Sequence, residues 1–202
     1  MKKILLLAGV ATVAGSSFAA DWAEVGDAIK LPPGQLTVGV GALDGITGTC
    51  DPSDADMFCI SITDEASFSA TTVGGATWDT QLFLFTMGGM GVAFNDDSTG
   101  LQSTLTSTFV SSNGHYLIAI SGFDHDADSV GGAIWLDTPF GTERAPDGPG
   151  AGSPVSAWSG TGGGGVYRIA LTGAEFCAVP EPGTMLAIGA GLAALVARRR
   201  RK

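Results

Sequence analysis

Positive charge is nearly missing from most of this chain. Across residues 20–179 only Lys30, Arg144 and Arg168 are cationic, against 19 carboxylates, a net charge of −16. Such a surface repels phosphate backbones and anionic lipid, so nucleic-acid binding is not expected. It favours cations, or simply solubility. Cysteine is also scarce, with Cys50, Cys59 and Cys177 alone. No Cys-x-x-Cys pair or Cys/His ligand spacing occurs, which argues against zinc. There are two histidines, His115 and His125. No Gly-x-Ser-x-Gly elbow accompanies them, and no catalytic residue is assigned. Glycoside hydrolysis needs only two carboxylates. A small secreted hydrolase with an unrecognised carboxylate pair is therefore the alternative to a non-enzymatic protein. Sustained helical periodicity with caps is absent from residues 20–179, so helices are not expected there.

The two ends differ from the middle. Met1-Lys2-Lys3 is basic, residues 4–13 are apolar, and Ser17-Phe18-Ala19 offers small residues at both key positions before a cut. Residues 1–19 read as a secretory signal peptide cleaved between Ala19 and Ala20, which implies a Sec-type export machinery. At the other end Pro180-Glu181-Pro182 is an extended spacer, because two prolines so close fit neither a helix nor a central strand. An uncharged run of 15 residues follows, from Gly183 to Ala197. It is short against the roughly 20 residues of a comfortable span. Arg198, Arg199, Arg200, Arg201 and Lys202 then close the chain. Such cations snorkel, lengthen the effective span and stay cytoplasmic, leaving the bulk of the protein outside. The expectation is one transmembrane helix over residues 184–197.

Pro-Glu-Pro, a short apolar span and a terminal arginine cluster, in that order, resemble the PEP-CTERM sorting signal of Gram-negative bacteria over residues 180–202. The resemblance implies recognition by an exosortase, a membrane-embedded transpeptidase-like enzyme. It implies a transient inner-membrane anchor, then processing, then a place at the cell surface or in the extracellular matrix. It also implies a link to extracellular polysaccharide or biofilm.

Residues 20–179 are long enough for one domain with a real core. They read as all-β. Strands are expected over residues 35–40, 56–63, 66–72, 79–86, 90–95, 103–109, 115–121, 133–136 and 166–172. Phe58, Ile60 and Ile62 alternate onto one face, as do Tyr116, Ile118 and Ile120. The segment at 79–86 is apolar on both faces and suits a central strand. The expected architecture is a β-sandwich, jelly-roll-like. Residues 138–165 turn to Pro, Gly and Ser and read as a long loop, with Gly162-Gly163-Gly164-Gly165 as its most flexible point.

Four segments in order, Asp54–Ile60, Trp78–Phe85, Gly91–Ser98 and Gly114–Ile120, resemble the bacterial pre-peptidase C-terminal domain over residues 50–122. That resemblance implies a non-catalytic β-sandwich module, in some members calcium-bound, and offers the further alternative of an accessory module for a separate peptidase. Three acidic clusters are candidate calcium ligands on their own chemistry, since calcium takes six to eight oxygens, many from Asp on loops. These are Asp54 with Asp56, Asn95 with Asp96 and Asp97, and Asp124 with Asp126 and Asp128. The last is no EF-hand, because Ser129 and Trp135 stand where Gly and Glu belong. Export permits a disulfide. Spacing favours Cys50–Cys59, with Cys177 either free or a partner to one of them. Trp78 and Trp135 suit the core, while Trp158 is the expected exposed contact for a sugar ring. His115 suits a half-buried structural place and His125 a charged surface.

Overall fold

The computed structural model describes residues 20–178, and these are all-β. The signal peptide, the transmembrane helix, the Pro-Glu-Pro spacer and the basic cluster lie outside the described residues. Among the described residues no helix is long and apolar enough to cross a membrane.

One sheet runs in the order β1 (Ala20–Ala23), β3 (Leu43–Cys50), β13 (Gly165–Thr172), β5 (Ser69–Thr71), β8 (Thr104–Leu105). A second runs β14 (Ala174–Phe176), β4 (Ala55–Ile62), β9 (Gly114–Gly122), β6 (Thr80–Thr86), β7 (Gly91–Asn95), with β2 (Gln35–Leu36) also paired to β4. The two sheets face each other across one core. Phe58, Ile60, Ile62, Leu82, Leu84, Ile118 and Ile120 meet Leu43, Ile46, Tyr167, Ile169 and Leu171 there. The alternation read from β4 and β9 thus holds, and β13 shows the same pattern, with Tyr167, Ile169 and Leu171 inward and Val166 on the outer face and 73% exposed.

The second sheet is buried on its other face as well. Met57, Cys59, Phe83, Phe85, Phe94, Leu117 and Ala119 point that way and pack under Ala127, Ile134, Trp135 and Val155. The cover is a small sheet of β11 (Gly132–Ala133), β10 (His125–Ser129) and β12 (Val155–Gly160). Residues 138–165 are therefore not one long loop: β12 lies inside them, and Val155 belongs to the second core. The glycines near their end serve close backbone contact. A Cβ on Gly164 would lie 2.4 Å from the Cys50 carbonyl oxygen, and one on Gly162 would lie 2.8 Å from that of Gly122. Glycine at such approaches needs no special flexibility to explain it.

The disulfide joins Cys59 to Cys177, and Cys50 is a buried free thiol. This corrects the Cys50–Cys59 pairing. The two residues are close in sequence but belong to different sheets: Cys50 ends β3 in the first sheet and packs in the core between the sheets, whereas Cys59 lies in β4 and points into the outer core. The Cys50 thiol donates to the Asp54 carbonyl at 3.3 Å, and burial pushes its ionisation well above the ordinary thiol range. Cys177 follows β14, which pairs with β4 and so brings it beside Cys59.

Candidate metal centres

Asp54 and Asp56 part company despite their spacing. Asp54 lies before β4 and pairs with Lys30 at 2.9 Å. Asp56 lies in β4 and is fully buried. Its Oδ2 accepts a hydrogen bond from the Tyr167 hydroxyl at 2.8 Å, while its Oδ1 has no partner. Oxygens of Glu24, Asp27 and Asp56 all lie within 4.8 Å of one another. Oxygens sharing one calcium at about 2.3–2.6 Å are separated by no more than about twice that, so this spacing fits. Glu24 is fixed by the Ala28 N–H at 2.8 Å and the Thr49 N–H at 3.0 Å. Gly48 leaves room for the arrangement, since a Cβ there would lie 2.4 Å from Glu24 and 2.5 Å from the Tyr167 hydroxyl. An open cleft of about 620 Å³ adjoins it, lined by Glu24, Asp27, Thr47, Thr49 and Asp51 among others. Burial pushes the Asp56 carboxyl up to about 7 against the Tyr167 hydrogen bond, and Glu24, Asp54 and Asp27 add to the rise.

Asn95 is a clamp. Its Oδ1 accepts from the Thr104 N–H at 2.8 Å and its Nδ2 donates to the Asp97 carbonyl at 3.0 Å. Asp96 and Asp97 instead join Asp79, with one oxygen from each within 4.8 Å of the others. The hairpin register brings them together: Leu82 pairs with Asn95, so the residues before β6 meet those after β7. Burial pushes Asp96 up to about 7, with Asp97, Asp79 and Asp126 adding and Arg144 opposing.

Asp124, Asp126 and Asp128 do not join a three-carboxylate group among the described residues. Asp126 and Asp128 alternate with buried His125, Ala127 and Ser129 along β10. Asp124 sits in the preceding turn at φ 64°. Burial pushes Asp126 up to about 6, against a hydrogen bond from Gln81. Asp124 and Asp126, with Asp137, instead line a small cleft between Phe123 and Phe140.

The histidines exchange the expected places. His115 is exposed, its Nδ1 3.4 Å from Cys177 Sγ. His125 is buried and stacks on Trp158 at 5.8 Å. Trp158 is not the exposed platform the sequence suggests. It is half-buried, meets the Phe83 ring edge-on at 5.0 Å and donates its N–H to the Lys30 carbonyl at 2.6 Å. Trp135 is buried in the outer core as expected, and Trp78 is half-buried beside the inner one.

Glu24, Asp27 and Asp79 are the residues sequence reasoning missed. Each completes a group only through pairing with distant chain. The only local signal is that Glu24 and Asp27 stand three residues apart.

The molecule so described is an all-β domain with carboxylates gathered at and near the ends of its strands. Comparison with known families matches the PEP-CTERM protein-sorting motif at residues 178–201. No curated protein and no solved structure matches the chain. The motif marks an exported surface protein, held in the membrane by its C-terminus and then processed by an exosortase.

Proposed function

We propose that this is a non-enzymatic module of the cell surface or extracellular matrix, reaching it by Sec-type export, which associates with extracellular polysaccharide and takes calcium at Glu24, Asp27 and Asp56. The carrying observation is Asp56, a fully buried carboxylate with one oxygen unpartnered and two further carboxylates within reach. An isolated buried charge is costly unless paired or metal-bound. Calcium would offset two of the three negative charges, and on a body of net charge −16 it would also bridge to acidic sugars that the bare protein repels. The likeness to pre-peptidase C-terminal domains supports the same reading, because its four segments form β4, β6, β7 and β9, neighbours in one sheet.

The test is co-sedimentation of the exported protein with extracellular polysaccharide from the source cells, in calcium and in EDTA, with released sugars assayed. Pelleting in calcium alone, without sugar release, is the expected result. Pelleting in neither buffer overturns polysaccharide association, and released sugar favours the hydrolase. Co-purification of a peptidase favours the accessory module. Replacing Pro180, Glu181 and Pro182 together with alanine is expected to leave full-length precursor in the inner-membrane fraction. Normal surface delivery of that variant would remove the exosortase from the account.

A further inference from the structure

We propose that Asp79, Asp96 and Asp97 form a second cation site, for calcium or a similarly hard divalent ion, that pins residues 137–147 onto the end of the domain. Three observations carry it. First, Asp79 Oδ1, Asp96 Oδ1 and Asp97 Oδ1 are all buried without a hydrogen-bond partner, and Asp96 is only 1% exposed. Second, one oxygen from each residue lies within the 4.8 Å that a shared ion requires. Third, none of the ion pairs among the described residues involves these three acids. The nearby Arg144 opposes the rise at Asp96 without pairing with it, and its two terminal nitrogens bond elsewhere, to Asp147 at 2.8 Å and to the carbonyls of Thr138 and Leu136. Three carboxylates gathered so closely repel one another, and a divalent ion with waters completing its shell relieves that.

The site also has a mechanical consequence. Residues 137–147 dock on the end of β7 and on the chain that follows it. Phe94 and Arg144 exchange two backbone hydrogen bonds, at 3.0 and 2.8 Å, and the Asp97 N–H donates to the Phe140 carbonyl at 3.3 Å. The Arg144 guanidinium lies over the Phe94 ring at 5.4 Å. An ion at Asp96 and Asp97 fixes the backbone that accepts this segment. Loss of the ion frees three like charges beneath it and loosens the segment.

Trypsin reads the prediction directly, because the segment holds Arg144. On the full exported chain in detergent, EDTA is expected to speed cleavage after Arg144 at least tenfold over calcium. D79N and D97N are each expected to be cleaved at the EDTA rate in either buffer. They should also bind one calcium fewer than wild type by titration calorimetry. D56N should lose a different calcium and keep calcium protection of Arg144. If D79N and D97N, folded by circular dichroism, bind calcium and resist trypsin as wild type does, the proposal is overturned. Wild-type calcium binding that is abolished wholly by D56N overturns it too, while leaving the Asp56 reading intact. Loss in D79N and D97N with no effect of D56N sinks the Asp56 reading alone.

Discussion

Serine at Cys59 or Cys177 is expected to lower folding stability by several kcal/mol, the largest single effect of any substitution considered for the domain. The bridge spans 118 residues, and loop-closure entropy puts its contribution at about 5 kcal/mol. It ties the segment after β14 to the middle of β4, so it also fixes the strand nearest the sorting motif. Urea denaturation checks this: C59S and C177S should unfold at much lower urea than wild type, and dithiothreitol should move wild type to the same midpoint. C50A is the control. It trims one buried sulfur from the inner core, costs about 1–2 kcal/mol and leaves the sensitivity to dithiothreitol unchanged. A C50A protein that no longer responds to dithiothreitol would restore the pairing that spacing suggested.

That pairing shows where sequence reasoning stops. The strands it found, β4, β6, β9 and β13, declare themselves by alternation or by an unbroken apolar run. β3 was missed because its glycines hide the pattern. Gly45 and Gly48 stand where a Cβ would strike the Arg168 guanidinium at 2.7 Å and Glu24 at 2.4 Å. The absent side chains are what admit the Arg168–Asp21 ion pair and the Glu24 carboxylate. β10 was seen as alternating acids and read as ligands, but the same period-2 spacing belongs to a strand. β12 lay in a stretch whose glycine content masked it.

The metal groups divide along the same line. Asp96 and Asp97 were legible because acids after a strand end are local. Asp79 became their partner only through the register of β6 on β7. Glu24 and Asp27 reach Asp56 only because β1 lies parallel on β3 in the facing sheet, with the Glu24 N–H donating to the Thr47 carbonyl at 2.8 Å. Composition can count such acids but cannot say which of the 19 converge. In the same way residues 79–86 declare an apolar character on both faces but not what covers the second one. Only the cover of residues 125–160 shows it to be a second core.

Freed of calcium, the domain is expected to lose stability as pH rises from about 4 to 8, the reverse of ordinary acid denaturation. Two buried carboxyls and one half-buried one set the direction. Burial holds Asp56 and Asp96 at about 7 and Asp126 at about 6, against an ordinary value of 3.8. Between those values the folded chain keeps protons that the unfolded chain has released. The folded state thus binds more protons, and unfolding free energy falls with pH across that window. Below it both states are protonated, and above it both are ionised, so the curve flattens at each end. Asp21 acts oppositely, held low by the Arg168 hydrogen bonds, but its contribution is lost only below the window. Calcium binds the ionised groups, so its stabilising effect is small at pH 5, where protons compete, and greatest at pH 8. Melting scans in EDTA and in calcium at both pH values test this. The melting temperature in EDTA should fall by several degrees from pH 5 to 8, and calcium should recover most of that at pH 8 alone. D56N, whose amide cannot ionise, should flatten the EDTA curve and shrink the gain from calcium. An EDTA-treated protein more stable at pH 8 than at pH 5 would mean that these carboxylates are satisfied without an ion, and the calcium reading would fall with them.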